Sequence, residues 1–91
     1  MWGVTFRNSA AKQYRMLPSK ARDALDALVI EIQVAGPIRG NWKHYGKLGP
    51  TRHHCHLKSG KPTLVACWEV VDKNTRLVEV YYVGTHEKAP Y

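Results

Sequence analysis

The middle of this 91-residue chain lacks acid: from Ile32 to Trp68 there is no Asp or Glu. Other absences narrow the reading further. With two cysteines there is no disulfide scaffold, and a reducing compartment leaves both as thiols. No apolar run approaches the roughly 18 residues of a membrane span. Met1-Trp2-Gly3-Val4-Thr5-Phe6 carries neither a charged segment nor a long apolar one, so no secretion signal is expected and the cytoplasm is. Repeats and low-complexity segments are absent, and the length fits one small domain with a thin core, residues 1–91. A hydrophobic content of 44% is too high for disorder.

What fills the acid-free stretch is cationic. Arg39, Lys43, Lys47, Arg52, Lys58 and Lys61 lie there with four of the five histidines, in a chain of net charge +7. Such a block points to a polyanion, nucleic acid above all. The plainer alternative is a solvated face that only aids solubility. Against it, the histidines travel with the lysines and arginines.

Trp2, Val4 and Phe6 alternate with Gly3, Thr5 and Arg7, as in a half-buried strand. Asn8 or Ser9 can cap a short helix carrying Ala11, Tyr14 and Leu17. Pro18 suits the first turn of a second helix. Its stripe is Ala21, Leu25, Leu28 and Ile32, and Gly36-Pro37 stops it. From Ile38 to Pro50 no period holds, which predicts a long loop. Strands follow at Thr51–Lys58, Thr63–Val71 and Arg76–Val83. The turns between them are Ser59-Gly60-Lys61-Pro62 and Asp72-Lys73-Asn74-Thr75. Gly84 marks a break or bulge. The expected fold is α+β: two N-terminal helices on one face of a mainly antiparallel four-stranded sheet, in the order β-α-α-β-β-β.

The strand Arg52-His53-His54-Cys55-His56-Leu57-Lys58 is the most informative segment. Alternation puts Arg52, His54, His56 and Lys58 in one row and His53, Cys55 and Leu57 in the other. The second row can enter a core. The first is a comb of cations and imidazoles, the groups that hold a phosphodiester and move protons at neutral pH. The bland alternative is a pair of exposed strand histidines. If Cys55 and Leu57 face the helices, Leu64, Ala66, Trp68 and Val70 do so too, and Cys67 points to the open face with Val65 and Glu69. The thiols then cannot bridge, and Cys67 is the more reactive. Tyr81, Tyr82, Trp68 and Trp2 are expected to pack. Tyr45 and Trp42, aromatics in a basic loop, suit packing and base stacking equally.

The element order, Tyr14-Arg15-Met16-Leu17-Pro18, Gly46-Lys47-Leu48-Gly49, the basic strand and the ending Val83-Gly84-Thr85-His86-Glu87-Lys88-Ala89-Pro90-Tyr91 together resemble the RelE/ParE toxin superfamily. The resemblance covers nearly the whole chain. His86 matches the family's functional Arg or His, Tyr91 its functional Tyr, and His54 and His56 fall on alternating lysines of RelE-type toxins. One position departs. RelE-type ribonucleases carry an Arg early in the third strand, where this chain has Val65, or Thr63 if the hairpin is shifted. Lys61, Lys58 or Arg52 would then supply that charge.

The resemblance implies an mRNA interferase, an endoribonuclease that inhibits translation by attack of the RNA 2′-OH on its own phosphodiester. Such chemistry calls for a base, an acid and a cation, and for no metal or cofactor. His54 or His56 is the expected base and His86 the acid, or the roles exchange, and Tyr91 stacks on or hydrogen-bonds the substrate. Arg52, Lys58, Lys47, Lys61 and Lys43 are the expected RNA and phosphate contacts. The implied partners are an acidic, partly disordered antitoxin, mRNA and the ribosome. Two alternatives belong to other classes. One is a gyrase-directed toxin or an inactive antitoxin-binding relative. The other is a metal site built on His54-x-His56, disfavoured by its cationic neighbours.

Overall fold

The computed structural model describes all of residues 1–91. Strand β1 (Gly3–Phe6) leads into helices α1 (Asn8–Arg15) and α2 (Ser19–Ala35). Strands β2 (Gly46–Lys47), β3 (Arg52–Lys58), β4 (Leu64–Asp72) and β5 (Leu77–Thr85) follow, and a 3₁₀ turn (His86–Lys88) ends the chain. The sheet order is β1-β5-β4-β3-β2, with β1 parallel to β5 and the other pairs antiparallel. The α+β class and order are those expected, with one strand added.

That strand, β2, lies in the segment expected to be all loop. Its two residues are too few to show alternation. It pairs with β3 through Gly46 opposite His54 and Lys47 opposite His53. A Cβ on Gly46 would come 3.0 Å from His54 Nε2, so a glycine lets this edge backbone lie against the imidazole.

Helix α2 buries the stripe Ala21, Leu25, Leu28 and Ile32. These residues pack with Ala10 and Leu17 against Cys55, Leu64, Ala66, Trp68, Val78, Val80 and Val83 of the sheet. Fully burying side chains of the Leu and Val class is worth roughly 1.5–3 kcal/mol each, so this one layer carries the fold. Neither helix has a side-chain cap. Asn8 is the first residue of α1, with Arg7 at its N-cap, and Pro18 takes the N-cap position of α2. The Pro18 carbonyl still accepts the Arg22 N–H, at 2.9 Å.

The β3–β4 register is the one expected, with Cys55 opposite Ala66 and His54 opposite Cys67. The thiols therefore lie on opposite faces of the sheet. Cys67 is nonetheless as inaccessible as Cys55, both at 0% exposure, which corrects the expectation of a reactive Cys67. Burial pushes each thiol up to about 12. Tyr81 is what covers Cys67. Its buried hydroxyl lies beside the thiol, outside hydrogen-bonding geometry.

Three bulges interrupt the pairing. The break expected at Gly84 is not among them, since Gly84 pairs with Val65 inside β5. One bulge separates the partners Cys67–Tyr82 and Trp68–Val80, leaving Tyr81 as the extra residue. Val80 and Val83 can then both face the helices, while the two tyrosines between them serve the opposite face. A second lies at Val71 and a third at Leu57.

Candidate active site

The sheet face away from the helices gathers the residues that the sequence singled out at its middle and its end. His54 and His56 project from β3 and are half-buried. Their rings meet the tail. The His56 and His86 ring centroids are 5.6 Å apart, His54 and Tyr91 4.8 Å, and His86 and Tyr91 5.8 Å. Strand and tail, thirty residues apart in sequence, thus form one cluster of rings.

The tail is held there by three contacts. The His86 N–H donates to the Thr63 carbonyl at 2.9 Å, extending the β4–β5 pairing by one bond. The Tyr82 hydroxyl donates to the Thr85 carbonyl at 2.7 Å. The Tyr91 N–H donates to the Ala89 carbonyl at 2.9 Å, folding the last residue back toward the sheet.

Beside this cluster lies a cleft of about 550 Å³. Its walls are His56 and His86, the turn Gly60-Lys61-Pro62-Thr63, Thr85 and Glu87. Lys61 is therefore the expected phosphate contact that shares a cleft with two histidines. Lys43 is adjacent, because its carbonyl accepts the His56 N–H at 2.8 Å.

The other expected cations lie elsewhere. The bulge at Leu57 puts Lys58 opposite Leu64, breaking its alternation with His56, and its ammonium lies over Gly60. Lys47 lines a second cleft, with Trp2, Pro37, Ile38, His53 and Lys73. Arg52 is occupied: it bonds Glu69 at 3.0 Å and stacks over the Tyr81 ring, 4.8 Å from its centroid. Val65, where an arginine was looked for, is fully buried between His56 and Gly84 on the neighbouring strands.

Burial, and then the nearby histidines, hold His54 and His56 below the ordinary imidazole range. The shift favours the neutral ring, the state a proton acceptor needs. The His54 Nδ1 atom is buried without a hydrogen-bond partner in the protein. Burial also raises Tyr91, which favours the protonated phenol. His53, read as inward-facing, is 3% exposed. It stacks on Trp68 with the planes 7° apart, and its Nδ1 is 2.7 Å from the Tyr45 hydroxyl. Desolvation takes it down to about 4.

His44 was missed. It stands on the loop before β2 with its ring centroid 4.2 Å from that of His56, nearer than any other ring pair in the cluster. Nothing local marks it, for it sits in an aperiodic segment at φ 55°. The only hint is its place in the acid-free, histidine-bearing stretch. Its neighbours Trp42 and Tyr45 are settled as packing residues, half-buried against the core. Glu31 fastens this loop by accepting bonds from Arg39, Asn41 and Trp42 at 2.9–3.1 Å. No three His, Cys, Asp or Glu side chains converge in a geometry that could hold a metal ion.

No family model and no curated protein matches the sequence. Solved structures do match. A free-state double arginine-to-alanine mutant of the Escherichia coli toxin RelE aligns with 97% of this chain and 86% of its own, at 24% identity and a TM-score of 0.73. The Staphylococcus aureus YoeB dimer aligns over 93% and 97%, at 15% identity and 0.71. RelE of the archaeal RelE–RelB complex from Pyrococcus horikoshii aligns over 97% and 98%, at 9% identity and 0.63. The fold of this chain is the RelE-like toxin fold, with its open sheet face occupied by a cluster of histidines.

Proposed function

We propose that this chain is the toxin of a toxin–antitoxin pair and that it cleaves mRNA at the ribosome without a metal. The observation that carries this reading is the approach of His56 to His86 across a cleft that also holds Lys61. Two proton carriers and a cation are what transesterification of RNA requires. Neutral His56 takes the proton of the 2′-OH as O2′ bonds to phosphorus. The P–O5′ bond breaks, and protonated His86 gives its proton to the departing O5′. Lys61 and Lys43 meet the charge on the non-bridging oxygens. Tyr91 and His54 flank the nucleotide, the phenol as donor. The products are a 2′,3′-cyclic phosphate and a free 5′-OH.

Lys58, Lys47 and Arg52 fit a longer RNA track better than the scissile phosphate. Each phosphate neutralised steepens the salt dependence of binding, and a net charge of +7 suits ribosomal RNA as the platform. The partner that restrains the toxin is an acidic, partly disordered antitoxin. An antitoxin partner is supported by the similar solved structures, which include the E. coli RelBE toxin–antitoxin complex and the archaeal RelE–RelB complex.

The test is incubation with ribosomes carrying a defined mRNA, in chelator, followed by mapping of 5′ ends. New 5′-hydroxyl ends are expected, with His56→Ala and His86→Ala each slower by about 10²–10⁴. A wild-type protein that leaves mRNA intact but stalls gyrase on DNA would establish the rival reading.

A further inference from the structure

Resting on the ribonuclease reading, we propose that His44 is a further catalytic residue: standing ring to ring with His56, it donates a hydrogen bond to a non-bridging oxygen of the scissile phosphate and keeps its neighbour free to accept the 2′-OH proton.

The geometry is specific. The two rings are 4.2 Å apart at their centroids and tilted by 32°. The loop does not reach this place by chance. The Lys43 carbonyl is tied to the His56 N–H, and the Tyr45 hydroxyl is tied to His53 at 2.7 Å, so His44 is bracketed on both sides by bonds to β3. Between those anchors the backbone takes φ 55° at His44, one of two non-glycine residues in the chain with positive φ. Histidine tolerates that region better than most residues, but it is sparsely populated and costs energy. This backbone sets an exposed imidazole against the ring of His56.

Two imidazoles this close do not both carry a proton, because the second charge meets the first at contact distance. A charge on one ring therefore opposes a charge on the other. His56 is the half-buried member, and it faces His54, His86 and Lys43 as well as His44, all of which oppose a charge on it. His44 is the exposed member, so its ring is the one free to meet a phosphate oxygen. An imidazole that donates beside one that accepts gives the step its two contacts, one ring to bind the phosphate oxygen and one to take the proton.

The experiment compares wild type, His44→Ala and His44→Gly, the last suited to the positive φ and so preserving the loop. Imidazole Cε1–H resonances are titrated in the intact protein, and cleavage of ribosome-bound mRNA is followed against pH. Both variants are expected to raise the His56 midpoint, move the acidic limb of the rate profile upward, and cut the rate by about 10–100-fold. An unchanged His56 titration, or variants that cleave at the wild-type rate, overturns the role of His44 and leaves the ribonuclease reading standing. A wild-type protein that cleaves no RNA overturns both.

Discussion

The Tyr82 hydroxyl lies over Gly84 so closely that a Cβ there would come within 2.8 Å of it. That approach lets the phenol reach the Thr85 carbonyl at 2.7 Å, one residue before His86. Only glycine leaves room for it, so Tyr82 and Gly84 act as one positioning device for the tail. Tyr82→Phe should cost about 1 kcal/mol of stability, since it deletes one hydrogen bond. Cleavage should fall by more than stability, with RNA affinity nearly unchanged. Gly84→Ala should do the same by displacing the phenol, and the double variant should be no worse than either single one. Additive losses in the four-way comparison would show that the two residues act separately.

The loop that carries Lys43 and His44 is fastened at its other end by Glu31. Its carboxylate accepts from Asn41 and Trp42 and pairs with Arg39, and those bonds hold it below the usual carboxylate range. Glu31→Ala should free the loop, at a stability cost of about 1–2 kcal/mol. Hydrogen exchange at the Tyr45 and His56 amides should speed up while the α2 amides stay protected. Activity should drop although Glu31 does not line the cleft.

His53 makes stability depend on pH. In the folded protein it takes a proton only near pH 4, whereas an unfolded histidine does so near 6.5. Between these values the unfolded chain binds more protons. Stability is therefore full above about pH 6.5 and falls as pH drops toward 4, by no more than about 3 kcal/mol from this residue. His54 and His56 add loss of the same sign. Urea midpoints at pH 7 and pH 4.5 measure it, and His53→Phe, which keeps an aromatic ring against Trp68, should flatten the difference.

Arg52 can be released. Its bond to Glu69 is partly exposed, with 44% of the Arg52 side chain open to solvent, so Glu69→Gln should change stability by less than about 1 kcal/mol. The same change takes the net charge from +7 to +8. RNA binding should tighten and its salt dependence steepen by about one phosphate contact. If binding by filter retention is unaltered at every salt concentration, Arg52 lies off the RNA track.

Much of this architecture was legible in the residues. Alternation in β3 separated His53 and Cys55 from His54 and His56, and the buried stripe of α2 follows a 3.6-residue period. What stayed hidden has physical causes. Strand β2 is two residues long, so no pattern could announce it. Bulges at Leu57 and Tyr81 reset a parity that the sequence displays as continuous, and this took Lys58 out of the comb and put Tyr81 over Cys67. A strand's composition does not say where one residue will be left unpaired. His44 depends on bonds from both its neighbours to β3, and long-range bonds from a loop leave no local trace.

The sheet order has a consequence for how the protein comes into being. Strand β5 lies between β1 and β4, so β1 has no partner in the sheet until β5, the last of its strands, has followed it. Parallel pairing of Gly3–Phe6 with Leu77–Val80 closes the sheet only once β5 has been made. His86 and Tyr91 emerge later still. The ring cluster joins β3 to residues beyond β5, so it forms only after every strand of the sheet has been made.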